Sequence, residues 1–264
     1  MRYCGIDVSA RPGHQQLVTL HARRTGGEPE LVATFFLPGE VDAVARTVLG
    51  FGRDAVVAVD APAARRLDLL SAGSALRTAL ALPRGRFEQH RVCDALLFRR
   101  GLPLYPIPSA DAPSRRLADQ WLDVGFALHA ALDPLDPFRP HDAGAVEGPV
   151  GDGALRFGRV TESYPDAIFC ALLGHRPPPK RTPWGLQQRI AALRLRGVVD
   201  ADGGLWHRTL DELDACALAY TAFALADGAA WWAGDAREGV VVLPVAPLLE
   251  RYERLPPPAR HALA

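Results

Sequence analysis

Five carboxylates sit where the sequence around them makes a charge costly. Asp7 interrupts the alternating apolar run RYCGIDVSA, Asp60 closes DAVVAVDAP, and Glu162 lies at the end of ALRFGRVTESYP. Asp211 and Asp214 stand three residues apart at the start of the alanine-rich TLDELDACALAYTAFALADG, residues 209–228. Helix residues three apart share a face, and positions 211, 214, 218, 221 and 225 make one stripe that turns apolar at Leu218 and Leu225, so both aspartates face a sheet. Carboxylates gathered on a half-buried surface repel one another unless cations neutralise them, and hard oxygen ligands suit Mg²⁺ or Mn²⁺. The same residues also fit plainer roles. Asp60 in DAP suits a turn, Thr209 with Glu212 reads as a capping box in which Asp211 complements the helix dipole, and Glu162 is placed to cap or to pair with Arg159.

The elements that must position these acids begin with three strand-like runs, RYCGIDVSA, QQLVTLHA and ELVATFFL, broken at Arg11, Pro12 and Gly13 and by TGGEP. They predict an antiparallel meander. Residues 40–50 have helical spacing and end on Gly50, and DAVVAVDAP is a continuous apolar run of the kind found in a buried central strand, which gives the order βββαβ. From residue 64 to residue 155 the pattern loosens into helical pieces around 64–82, 87–100 and 112–132 and a Pro/Gly-rich stretch, read as an insertion within a single domain spanning 1–264. ALRFGRVTESYP returns to strand character. TPWGLQQRIAALRLRG predicts a helix with Thr182 as N-cap, Pro183 in the first turn and Gly197 past its end. EGVVVLP is a last strand before a Pro-rich tail.

Composition excludes some classes. Thirty basic and thirty acidic side chains cancel, so any basic surface must be local, and 48% hydrophobic residues suffice for a sizeable core. Cys4, Cys93, Cys170 and Cys216 lie far apart in apolar stretches, without the close pairs of a zinc site or disulfide framework. They read as buried thiols in a reducing compartment. No apolar run reaches the roughly 20 residues of a membrane helix, and the expected location is the cytoplasm.

GIDVS at 5–9, VDAP at 59–62, ESYPDAIF at 162–169, KRTPWGLQQR at 180–189, LDACALAYTA at 213–222 and EGVVVLP at 238–244 together resemble the DUF429 family of predicted RNase H-like nucleases. The matches cover most of the chain in order, and ESYPDAIF followed by KRTPWGLQQR is the most specific. The order βββαβ with a final D-x-x-D helix also looks like Holliday-junction resolvases of the RuvC type. The resemblance implies an RNase H-like mixed sheet flanked by helices, with a mainly helical insertion. It matches Asp7 to the first-strand aspartate, Asp60 to the acid ending the fourth strand, and Asp211 with Asp214 to the paired acids of the last helix. Where the resolvase pattern has Glu, this chain has Asp60, and Glu162 is an extra acid. The insertion carries R-x-C-D, here Arg91, Cys93 and Asp94, also associated with the family; by charge its surroundings, RFEQHRVCDALLFRR, read as a basic helix with a solvated face.

On this resemblance the expected activity is phosphodiester hydrolysis of DNA or RNA with two Mg²⁺ or Mn²⁺ ions roughly 4 Å apart, held by Asp7, Asp60 and Asp214. Glu162 would be an additional ligand, and Lys180, Arg181 and Arg189 would meet phosphates. His14, His90 and His207 are expected on the surface or in loops. The alternatives are a non-catalytic nucleic-acid-binding module and a phosphotransferase of the same superfamily. Against the second, the chain is short for a duplicated core and no glycine-rich phosphate loop follows the first strand.

Overall fold

Apolar β-branched runs make the strands, and their alternation decides which acids can meet. A computed structural model describes residues 1–23, 30–102, 104, 107–109, 117–140 and 145–255, with nine strands and seven α-helices among them. β1 (Arg2–Asp7), β2 (Gln16–Arg23) and β3 (Glu30–Phe35) form the antiparallel meander; α1 (Val41–Leu49) follows, and β4 (Ala55–Val59) returns parallel to β1. Next come α2 (Ala75–Ala79), α3 (Val92–Arg99), α4 (Leu117–Leu132) and β5 (Glu147–Pro149). β6 (Val160–Glu162), α5 (Pro165–Leu173), α6 (Pro183–Leu195), β7 (Val198–Asp200), α7 (Leu210–Ala226), β8 (Trp231–Asp235) and β9 (Gly239–Leu243) complete the chain. All nine strands join one mixed sheet in the order β5-β8-β9-β6-β4-β1-β2-β3-β7.

The stretch read as an insertion is less helical than its pattern suggests. Its first piece is helical only over Ala75–Ala79, and β5 adds a strand to one sheet edge by pairing with β8. The start of the helix expected at 112–132 lies outside the described residues, as does the tail beyond 255. No helix among the described residues is long and apolar enough to cross a membrane.

Each central strand feeds two cores. Cys4, Ile6 and Val8 of the first strand region, with Ala55, Val57 and Val59 of β4, pack towards α1 and α4, whereas Val56 and Ala58 pack towards α7. By the two-residue period of a strand, Gly5, Asp7 and Asp60 then fall on the α7 side. The helix ends follow their local chemistry. Thr209 Oγ1 accepts from the Glu212 amide at 3.2 Å, and Glu212 Oε2 accepts from the Thr209 amide at 2.7 Å, the reciprocal capping box that starts α7. Thr182 likewise caps α6, its Oγ1 accepting from the Gly185 amide at 3.1 Å.

Gly5 lets α7 lie directly on β1. A Cβ there would stand 2.0 Å from Ala215 O and 2.2 Å from Ala219 N, so the helix backbone touches the strand two residues before Asp7. Gly5→Ala must push α7 off the sheet. Overpacking of this kind typically costs about 1–3 kcal/mol, and the variant is expected to melt several degrees lower. An unchanged melting curve would mean that α7 is not seated as described.

Candidate active site

Asp7 ends β1, and Asp60 follows β4, its amide donating to Ile6 O at 2.9 Å. This brings the two carboxyl groups within hydrogen-bonding distance of each other. Two carboxyls that close repel when both are charged, which favours the protonated form of each. Asp214, on α7, is 1% exposed, and its charge is felt by both Asp7 and Asp60. Its Oδ2 accepts from Lys180 Nζ at 2.6 Å, while Oδ1 is buried without a hydrogen-bond partner. Asp211, one turn earlier and exposed, still acts on Asp7 through space. Asp166, in the first turn of α5, is a further acid whose charge is felt by Asp60, Asp214 and Lys180; it lies inside the ESYPDAIF motif but was not singled out from the sequence.

The electrostatics follow from burial and crowding. Asp7 is raised well above the ordinary Asp value, first by desolvation and then by Asp60, Asp214 and Asp211. Burial and the Asp214 charge lift Asp60, although its hydrogen bond with Asp7 and the Lys180 charge pull the other way. Asp214 is also raised because burial outweighs Lys180. Burial acts to lower Lys180, but Asp214, Asp166 and Asp7 outweigh it and hold the ammonium above its usual range. Gly185 helps to place that lysine. A Cβ there would sit 2.2 Å from Pro179 O, so the Pro177–Pro179 turn folds against the start of α6.

Does this set of residues fit a divalent cation? The donors are hard carboxylate oxygens, one buried oxygen lacks a partner, and the paired carboxyls repel each other unless neutralised, all of which a cation would relieve. Among the described residues no three His, Cys, Asp or Glu side chains are gathered as a ligand set, and Lys180 holds one oxygen of Asp214. The donor chemistry is that of hard carboxylate oxygens, which suits Mg²⁺ or Mn²⁺.

Two expected members stand elsewhere. Glu162 reaches the same sheet edge but the opposite face: β6 pairs with β4 in the register Val59↔Glu162, and Val59 belongs to the α1/α4 side. There Glu162 is fully buried and takes two bonds from Arg91, Nη2 to Oε1 at 2.5 Å and Nη1 to Oε2 at 2.9 Å. Arg91, also fully buried, binds Asp94 through Nε and Nη2 at 3.0 and 3.1 Å. So Glu162 is neither an available metal ligand nor the partner of Arg159, whose guanidinium goes to the carbonyls of Arg53 and Leu155. Arg189 is 3% exposed, bonded to Asp166 at 2.8 Å and stacked 5.3 Å from the Phe169 ring; it braces the wall and does not face a substrate. Lys180 and the exposed Arg181 remain at the rim.

The R-x-C-D stretch, read as a solvated basic helix, is instead the buried hub. Val92 to Leu97 are all buried, and Glu238 closes the network by accepting from the amides of Leu67 and Val92 at 2.7 and 3.1 Å. His129, which no motif singles out, lies on this side with Nε2 at 3.1 Å from Ala61 O, and burial pushes it down to about 4.

Comparison with known proteins agrees in extent with the motif pattern. The family described as Protein of unknown function (DUF429) matches residues 5–238. No curated protein and no solved structure matches the chain. With 5–238 of 264 residues covered, the chain belongs to the DUF429 family.

Proposed function

We propose that the chain is a metal-dependent nuclease with an RNase H-like core, hydrolysing phosphodiester bonds with Mg²⁺ or Mn²⁺. What supports this reading is that Asp7 and Asp60 stand side by side at two strand ends within the field of Asp214 on a distant helix, with one buried Asp214 oxygen unbonded. The core order β3-β2-β1-β4-β6, with β4 and β6 parallel to β1, supports the RNase H-like assignment. Bound ions would supply an activated water and stabilise the leaving oxygen. Asp7, in contact with Asp60 and within the field of Asp214, is the central ligand, and Asp60 and Asp214 flank it. Lys180 neutralises Asp214 in the metal-free protein and meets a substrate phosphate at the rim. Four buried free thiols fit a reducing compartment such as the cytoplasm.

The decisive experiment incubates the pure protein with Mn²⁺ and labelled single-stranded, duplex and branched DNA and RNA. Cleavage that EDTA suppresses supports the reading, and intact substrates throughout overturn it. Lys180 and Arg181 give a further expectation. Replacing both by Ala should weaken duplex binding and flatten its log-log salt dependence by up to about two units, since each phosphate contact contributes about 0.9. An unchanged slope would remove both from the substrate path.

A further inference from the structure

A cavity of about 720 Å³ opens between the end of α3, the turn before it and the C-terminal segment, lined by Arg86, Arg99, Arg176, Arg251 and Arg254 with Phe98 among them. Among the described residues Glu253 is the one carboxylate lining it, and it pairs with Arg251 at 2.9 Å. Arg86, Arg99, Arg176 and Arg254 form no ion pair among the described residues, so their charge faces the opening unneutralised in a chain whose net charge is zero. The walls are pinned by main-chain bonds: Tyr252 N donates to Arg100 O at 2.7 Å and Arg176 N to Glu253 O at 2.9 Å. Phe98 is 45% exposed yet oriented by an edge-on contact with Phe87 at 5.8 Å.

This cavity does not stop at Arg176. A second cleft of about 130 Å³ shares Arg176 and Arg254 with it and runs along Pro177–Pro179 to Lys180 and Asp166, beside the carboxylate cluster. The positive charge is thus strung along a path and not gathered around one point, which suits a polymer of phosphates better than a small anion. An exposed aromatic ring among arginines adds a second requirement, because it gains by stacking on a base face, and only an unpaired strand offers one.

We propose that the joined clefts are the track by which a single-stranded nucleic acid reaches the carboxylate cluster, its phosphates on the arginines and a base on Phe98. The end point of the track rests on the nuclease reading; binding along it does not.

The test is fluorescence anisotropy of a labelled oligothymidylate in EDTA at graded salt, followed by Mn²⁺-dependent cleavage of the same strand. The wild type is expected to bind the single strand more tightly than a duplex of equal length. Arg86→Ala with Arg99→Ala, and separately Arg251→Ala with Arg254→Ala, should flatten the log-log salt slope by up to about 1.4, at about 0.7 per phosphate contact. Phe98→Ala should weaken binding roughly tenfold with the slope unchanged. Wild-type affinity and slope in all three variants would overturn the track, as would displacement of the strand by inorganic tripolyphosphate at equal phosphate concentration, which would mark a small-anion site. Groove-dependent binding without any cleavage would leave the track standing and defeat the nuclease reading. Cleavage with groove-independent binding would do the reverse.

Discussion

Asp7→Asn is expected to abolish the proposed metal-dependent cleavage and to raise the melting temperature of the metal-free protein. The carboxylate of Asp7 is held against Asp60 and within the fields of Asp214 and Asp211, so the amide removes repulsion while keeping shape and a hydrogen bond to Asp60. About 1–2 kcal/mol of relief would shift the midpoint by several degrees, at about 2–4 °C per kcal/mol in a chain of this size. The pH dependence has a definite sign. Asp60 is pushed from 3.8 to about 8, and Asp7 and Asp214 are raised too, so the folded protein binds these protons more tightly than the unfolded chain. Their stabilising contribution is complete below the unfolded value near 3.8 and is lost as pH rises through about 8. Metal-free wild type should therefore melt lower at pH 9 than at pH 6, Mn²⁺ should remove most of that difference, and Asp7→Asn should shrink it. Equal sensitivity in the variant, or a Mn²⁺ shift that survives it, would place the ion elsewhere.

Which faces these acids occupy was legible in the sequence because it depends on local rules. A charge inside an apolar strand, an acid closing a second strand and two acids on one helix stripe each declare a face, and the strand period decides whether the faces agree. Thr209 with Glu212 and Thr182 with Pro183 fixed two helix starts through hydrogen bonds confined to one turn. What stayed hidden depends on pairings far apart in the chain. Glu162 ends β6 as the pattern suggests, but the Val59↔Glu162 register that turns it away from Asp60 is set by strand pairing, which no local window records. Its true partner lies 71 residues earlier. Charge composition misled at Arg91 for the same reason: a basic stretch reads as solvated until a buried carboxylate comes from elsewhere to meet it. β8 was passed over because its WWAGD breaks the apolar alternation with Gly234, and it is held from both sides, by β5 and β9.

Arg91→Met should be the most destabilising single change in the molecule's polar interior. The guanidinium is fully buried and satisfies Glu162, Asp94 and the Glu238 carbonyl together, so its removal leaves two buried carboxylates facing each other without a cation. Removing one partner of such a buried arrangement costs about 3–5 kcal/mol, because the remaining charges keep their desolvation penalty. The midpoint should fall by about 10 °C or more. Burial already lifts Glu162 despite the pull of Arg91; without that pull it rises further, so the defect should be largest at high pH and shrink as pH falls and Glu162 takes up a proton. Adding Glu162→Gln to Arg91→Met should recover part of the loss, giving a non-additive cycle. Strictly additive losses, or a defect independent of pH, would show that the bonds drawn here do not hold the core. Glu162→Gln alone separates the two faces of the sheet. With its carboxylate on the α1/α4 side, the variant should lose stability but retain Mn²⁺-dependent cleavage in whatever fraction is folded. Loss of cleavage in a fully folded Glu162→Gln protein would return this residue to the metal site and require β6 to turn its last side chain towards Asp60.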